Sequence, residues 1–353
     1  MIRVVVAEDS MTARALLVGM FASDPEFEVV GEAVDGRQAV ELTKKLRPDV
    51  VTMDVRMPHL DGLEATRCIM IEAPTPIVIV SATLQKDDVA ASMRAIRAGA
   101  LMALAKPPGP GAPDFEPERV RFLSTVRALA AVKVVGHRLS SFSRALAQNM
   151  PTRPPPPPRP NGRVSVVALA ASTGGPGALR GVLDALPYDF PVPVLVVQHL
   201  APGFLPGFAE WLNGTSRLRV RIAVEGERLE RGYVYLAPED RHLVITPMHT
   251  VRQVDEPAVD GFRPSASVLF ESVANVYGRN ALAAILTGMG RDGVLGLRRV
   301  RELGGRIIAQ DEQTCSVFGM PAAAIEEGLP DYVLPITAVP AKLVELTGQE
   351  IRG

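Results

Sequence analysis

Cysteine is nearly absent from this chain: 353 residues hold two, Cys68 and Cys315. Two thiols so far apart build neither a disulfide framework nor a zinc site, and they fit a reducing compartment. An excess of charge is missing too. The 39 acidic residues face 38 lysines and arginines, so no overall positive field holds nucleic acid and no acidic tail stands out. No segment approaches the roughly 18 consecutive apolar residues of a membrane span. The opening "MIRVVVAEDS" has only a short apolar run before two acids and reads as a strand, not a signal peptide. No solenoid-length repeat is present. These absences predict a cytoplasmic protein that neither inserts into membranes nor binds nucleic acid.

What is present is globular material, 47% hydrophobic and 22% charged, at a length that suffices for two domains with separate cores. "MPTRPPPPPRPNG", residues 150–162, cannot pack as helix or sheet and reads as a stiff, extended linker. Before it, "RVRFLSTVRALAAVKVVGHRLSSFSRALAQ" is helical in parts. The expected organisation is a first domain over 1–125, a linker over 126–160 that is helical and then proline-rich, and a second domain over 161–353.

In the first domain short β-rich runs alternate with amphipathic stretches. "IRVVVA", "FEVVGEA", "DVVTMD", "PIVIVSA" and "ALMALA" are the strands; helices begin near Thr12, Gly36, Leu63 and Asp87. Five βα units with continuous apolar strands predict a parallel sheet covered on both faces, in a flavodoxin-like (βα)5 order. The working edge of such a sheet lies beyond the carboxyl ends of its strands. There the chain places Glu8 and Asp9, Asp54, Ser81 and Lys106. Each acid taken singly reads as a cap. Taken together, three converging carboxylates need a compensating cation, and oxygen ligands with open water positions suit Mg²⁺.

"AEDS", "TMDVRMPHLDGLEATR", "IVSA" and "ALAKPP" resemble the motifs of response-regulator receiver domains. The resemblance implies that Asp54 accepts phosphate from a histidine kinase. It also implies that Glu8, Asp9 and Asp54 hold Mg²⁺ and that Ser81 and Lys106 sense the phosphoryl group. Receivers often carry an aromatic residue three positions before the lysine; here that position is Ala103.

After residue 163 the α/β pattern resumes. "RVSVVALAAS" and "VPVLVVQHL" are strands, and "ALAAILTG" and "RIIAQD" are two more. "YVYLAP", "RHLVIT" and "VRQVDE" alternate and read as inserted hairpin strands, while 264–277 and "DGVLGLRRV" read as helices. A second doubly wound domain with a mainly parallel sheet is expected. Ser172 ends its first strand, His199 its second, and Asp292 follows the strand 281–287. Serine, histidine and carboxylate are the parts of nucleophilic acyl transfer. Each also has a plainer reading. Ser172 could cap the helix near Pro176, His199 could be a satisfied structural histidine, and Asp292 could cap the helix that follows it. "STGGPG" matches neither the Walker pattern nor G-x-G-x-x-G nor the G-x-S-x-G elbow. His59, His137, His242 and His249 are weaker candidates. No basic helix-turn-helix pattern supports a DNA-binding output.

"ASTGGP", "VVQHL", "YLAPEDRHL", "RPSASVLFESVA", "LTGMGRDG" and "AQDEQTCSVFGMPAAAI" resemble the catalytic domain of CheB-type chemotaxis methylesterases. With the receiver in front, the resemblance spans almost the whole chain. It implies a Ser172–His199–Asp292 triad, with Thr173 and Met289 lining the site or its oxyanion pocket. It also implies hydrolysis of glutamyl methyl esters on chemoreceptors, deamidation of receptor glutamines, and control by a chemotaxis histidine kinase. No cofactor is expected in the catalytic domain. The alternative is a response regulator whose output domain only binds a partner.

Overall fold

The computed structural model describes residues 1–81, 92, 94–96, 98–132 and 163–348. It divides into two compact units, Met1–Arg153 and Pro154–Gly353. Cys68 and Cys315 are both free thiols.

In the first unit β1 (Ile2–Ala7), β2 (Phe27–Ala33), β3 (Val50–Met53), β4 (Ile77–Ser81) and β5 (Met102–Ala105) form a sheet ordered β2-β1-β3-β4-β5. Every pairing in it is parallel. This is the flavodoxin-like order expected from the alternating pattern. The helices α1 (Met11–Ala22), α2 (Gly36–Leu46) and α3 (Gly62–Glu72) start where short polar side chains satisfy orphan amides. Ser10, Asp35 and Asp61 accept the N–H groups of Ala13, Gln38 and Glu64 at 3.4, 2.9 and 2.8 Å. The start expected near Asp87 lies outside the described residues, as does the proline-rich segment. The helix α4 (Phe115–Ala130) runs through residue 125 and buries Phe122, Leu123, Val126 and Leu129.

The second unit is built on β6 (Val166–Ala171), β7 (Val194–Gln198), β8 (Arg219–Ile222), β9 (Tyr233–Leu236), β12 (Ala281–Ile285), β13 (Arg306–Gln310) and β14 (Tyr332–Leu334). The sheet order is β14-β13-β12-β6-β7-β9-β8, and each described pairing is parallel. β10 (His242–Ile245) and β11 (Val251–Val254) form a separate antiparallel hairpin. One expectation is corrected: "YVYLAP" is not a hairpin strand. β9 lies inside the parallel sheet with Val234, Tyr235 and Leu236 all buried, so its apolar run marks a strand covered on both faces. β8 is an additional strand, whose polar–apolar alternation belongs to a short edge strand.

The chain starts at β6, builds outward through β7, and later returns to β6's other side with β12. The strand order therefore reverses beside β6, and in such sheets the crevice at the carboxyl ends is where ligands bind. The core beneath it is apolar. Val166, Ala168 and Ala170 of β6 pack with Ala283 and Ile285 of β12 and with Leu269, Phe270 and Val273 of α7 (Ala266–Tyr277), the helix that follows α5 (Gly175–Asp184) and α6 (Leu205–Asn213).

Candidate active site

Ser172 is the first residue past β6, and His199 the first past β7. Parallel pairing carries Ala171 opposite Gln198, so the two turns leave the sheet side by side. His199 N–H donates to Ala171 O at 3.1 Å. The Gln198 amide nitrogen then bridges the turns, donating to the carbonyl oxygens of Ser172 and His199 at 2.8 Å each. Ser172 N–H reaches the other neighbour, donating to Thr287 O at 3.0 Å. The serine is thus pinned to both flanking strands through its backbone.

Asp292 arrives from the loop after β12 and is fully buried. Four donors converge on its carboxylate. Ser265 Oγ–H (2.7 Å) and Ser267 N–H (3.1 Å) meet Oδ1. Ala266 N–H (2.7 Å) and His199 Nε2 (2.9 Å) meet Oδ2. Two of the donors are backbone amides in the first turn of α7, where aligned peptide dipoles favour an anion. Burial by itself would raise the Asp292 pKa. The hydrogen bond and charge of His199, joined by Ser265 and Ala266, outweigh it and hold the carboxyl below its ordinary value. On the other side of His199, Phe262 stacks flat on the imidazole, with ring centroids 3.9 Å apart and planes 7° from parallel.

Each of these three residues can be set against its plainer reading. The helix after Ser172 is α5 (Gly175–Asp184), and its cap is Gly174, with no side-chain capping bond. The helix after Asp292 is α8 (Val294–Glu302), capped by Gly293; Asp292 serves α7 instead. His199 has one ring nitrogen on Asp292, while its Nδ1 is buried without a hydrogen-bond partner. His242, by contrast, has both ring nitrogens bonded. His59 and His249 sit in turns, and His137 lies outside the described residues.

Thr173 is buried, and its carbonyl accepts from Thr287 Oγ1 at 2.9 Å. Met289 follows Gly288 in the chain and is 38% exposed. Gly288 is a site of close approach. A methyl group there would lie 2.4 Å from Met320 Sδ and 2.8 Å from Ser172 Cβ. Gly288→Ala is therefore expected to destabilise the second unit by about 1–3 kcal/mol. A melt followed by circular dichroism should show the thermal midpoint falling by roughly 3–10 °C. Gly174, at φ +75° and backed by Ser316, has the other conformation that a side chain would strain.

Nothing in the sequence singles out Ser265, Phe262 or Gln198. A serine ahead of an apolar helical run signals a cap, but nothing local says that its hydroxyl faces a carboxylate 27 residues away.

In the first unit Glu8, Asp9 and Asp54 bring carboxylate oxygens within 4.8 Å of one another. Lys106 Nζ lies 2.7 Å from Glu8 Oε2 and 2.9 Å from Asp54 Oδ2. Burial pushes the Glu8 pKa up, with the Asp54 charge adding to it and Lys106 opposing. Burial pulls Lys106 down, but the two carboxylates more than offset this and leave it raised. Ser81 ends β4 and is buried. Three hard carboxylate oxygens at a sheet edge are a donor set that fits Mg²⁺.

Fold and site together define a response regulator: a receiver unit followed by an α/β unit built like a hydrolase. A response-regulator receiver family matches residues 4–112, and the CheB methylesterase family matches residues 167–343. The chain belongs to the CheB methylesterase family. It is 51% identical over 346 residues to protein-glutamate methylesterase/protein-glutamine glutaminase 4 of Myxococcus xanthus, covering 97% of this chain and 96% of that one. It is also 51% identical over 344 residues to protein-glutamate methylesterase/protein-glutamine glutaminase 3 of Anaeromyxobacter dehalogenans, covering 97% and 98%. Among solved structures, the Thermotoga maritima CheB methylesterase catalytic domain matches with a TM-score of 0.51 at 41% identity. That match covers 52% of this chain and all of the other. Among the described residues no helix is long and apolar enough to cross a membrane.

Proposed function

We propose that this chain is a cytoplasmic, phosphorylation-controlled protein-glutamate methylesterase that also deamidates glutamine, acting on chemoreceptors in chemotaxis adaptation. The observation that carries this reading is the buried His199–Asp292 pair at the strand-order reversal, one strand over from Ser172. Asp292 is held as a carboxylate, so it accepts the Nε2 proton of His199. A neutral imidazole then has its lone pair on Nδ1, the unpartnered nitrogen.

Ser172 Oγ attacks the ester carbonyl, and His199 Nδ1 takes the hydroxyl proton. The N-terminus of α5 and the turn at Thr173 face the oxygen that becomes negative, with Met289 lining the same pocket. His199 returns the proton to the departing methoxide, which leaves as methanol. A water molecule, deprotonated at the same nitrogen, cleaves the acyl-serine and regenerates Ser172 and a glutamate. An amide substrate follows the same path with ammonia as the leaving group, which is deamidation. While the imidazole is charged, Asp292 stabilises it from one edge and the Phe262 face supplies cation–π attraction.

In the receiver, Asp54 is the phosphoacceptor for a chemotaxis histidine kinase. Glu8, Asp9 and Asp54 would hold Mg²⁺, which when bound neutralises charge on the transferring phosphoryl group. An Asp54 carboxylate oxygen attacks phosphorus as the bond between phosphorus and the kinase histidine nitrogen breaks, the imidazole leaving, and Lys106 and Ser81 then contact the phosphoryl oxygens. Asp54→Asn is expected to abolish acyl-phosphate formation from acetyl phosphate and to leave methanol release unresponsive to the phosphodonor. Phosphate incorporation at Ser81 in that variant would sink the assignment.

The test of the whole reading is methanol release from a methylated chemoreceptor fragment, with and without acetyl phosphate. No release from folded protein in either condition would favour the non-catalytic, partner-binding output.

A further inference from the structure

Resting on the methylesterase reading above, we propose that His242 is a positioning residue for the His199–Asp292 pair, acting through Ser265. His242 opens β10, and its ring is completely buried. Its Nδ1 accepts the Ser265 N–H at 3.2 Å. Its Nε2 lies 3.1 Å from Pro257 O and must donate, because a carbonyl can only accept. These two bonds define one neutral tautomer, with the proton on Nε2. They also bolt down both ends of a single segment, Pro257 to Ser265.

That segment carries two groups of the site. Phe262 stacks on His199, and Ser265 Oγ donates to Asp292 Oδ1 at 2.7 Å. The same Ser265 oxygen accepts from Ser267 N–H at 3.1 Å, and this amide also lies 3.1 Å from Asp292 Oδ1. The serine hydroxyl proton is therefore directed at the carboxylate. A continuous chain of bonds runs Pro257 O, His242, Ser265, Asp292, His199. The hairpin bearing His242 is itself fixed to α7 at a second point, where Ile245 N–H donates to Ser272 Oγ at 3.2 Å. With its ring removed, Ser265 N–H would be a buried donor without an acceptor, and the segment would shift to find one. The shift would move Ser265 away from Asp292 and Phe262 off the imidazole. Outer partners of metal-bound histidines orient the ligands they touch and commonly matter about ten- to a hundredfold, and His242 likewise acts through the serine that it touches.

The test uses the full chain and two conservative variants. The Oδ1 of an asparagine falls close to where Nδ1 lies, whereas a glutamine amide falls close to Nε2. His242→Asn keeps an acceptor for Ser265; His242→Gln keeps only the contact to Pro257. His242→Gln is expected to lower kcat for demethylation of a methylated chemoreceptor fragment by about 10–100-fold with KM little changed. His242→Asn should recover most of that loss. Imidazole ¹⁵N spectra give a readout independent of turnover. The His199 Nε2–H resonance, held by Asp292, should persist in His242→Asn and broaden or shift in His242→Gln. Equal kcat and unchanged resonances in both variants would overturn the proposal, as would a loss confined to KM. If His242→Gln does not fold, Ser265→Ala takes its place, since it keeps the His242 bond and removes the hydroxyl donor; unchanged kcat there would also overturn it. Ser172→Ala run alongside separates the two readings. Turnover surviving in Ser172→Ala would remove the methylesterase mechanism, whereas the His199 resonance still reports whether His242 positions it.

Discussion

Ser172→Ala is expected to release methanol about 10⁴–10⁶-fold more slowly than the wild type while melting at nearly the same temperature. The two halves of that result rest on different atoms. The fold holds Ser172 by its backbone: its N–H on Thr287 O, and its carbonyl on Gln198 Nε2 and Gly175 N–H at 2.8 and 2.9 Å. None of these bonds uses Oγ, so an alanine keeps the turn, and the stability change should stay within about 1 kcal/mol. The chemistry uses Oγ alone. Without it no acyl-serine forms, and water must attack the ester directly with only the oxyanion site to help. The measurement pairs a methanol assay with a thermal melt. A folded variant with activity within tenfold of wild type would sink the nucleophile assignment.

Asp292→Asn should leave more residual activity than Ser172→Ala, but it should damage stability as well. The carboxylate accepts from four donors. An amide offers one accepting oxygen and turns an N–H₂ toward donors on the other side. With the NH₂ beside His199, the imidazole must present a lone pair at Nε2, which moves its proton to Nδ1. The base is then blocked at the nitrogen that should accept from Ser172, and a tautomer error of this kind costs about 10³–10⁴ in kcat. With the NH₂ turned the other way, it faces Ser265 and Ser267 instead, and buried donors lose their acceptor at about 1–3 kcal/mol each. The pH dependence has a definite sign. The folded-state pKa of Asp292 lies below the ordinary 3.8. Its carboxylate therefore stabilises the fold fully above the unfolded value, and that contribution is lost as pH falls through the folded one. The gap in melting temperature between wild type and Asp292→Asn should be widest near neutrality and narrow in acid. A gap that widened in acid, or no gap at pH 7, would contradict the bonding described for this carboxylate.

Much of this protein is local, and what is local is legible. Strands buried on both faces need unbroken apolar runs, which is why "VVALAA" and "ALAAI" declare themselves without a partner in view. The alternation of such runs with amphipathic helices decides a parallel doubly wound sheet. That in turn decides that residues just past the strand ends share one edge. Ser172, His199, Asp54, Glu8 and Lys106 could be singled out for this reason alone. Tertiary structure decided what a one-dimensional pattern does not carry. β9 reads as a hairpin strand because four residues suit either setting; only its neighbours β7 and β8 make it a core strand. Asp292 reads as a cap for the helix that follows it, yet it sits on the N-terminus of α7, because hydrogen bonds are made to whatever donors lie within 3 Å in space. His242 and His199 look alike in sequence, each ending or opening a short strand. The fold satisfies both nitrogens of one and leaves Nδ1 of the other without a partner. The hydrogen-bond partners of His242 lie 15 and 23 positions away, and the Asp292 partner of the His199 ring lies 93 positions away. Burial pattern is written residue by residue, but the partner of a buried polar atom is chosen by the packing of segments distant in the chain.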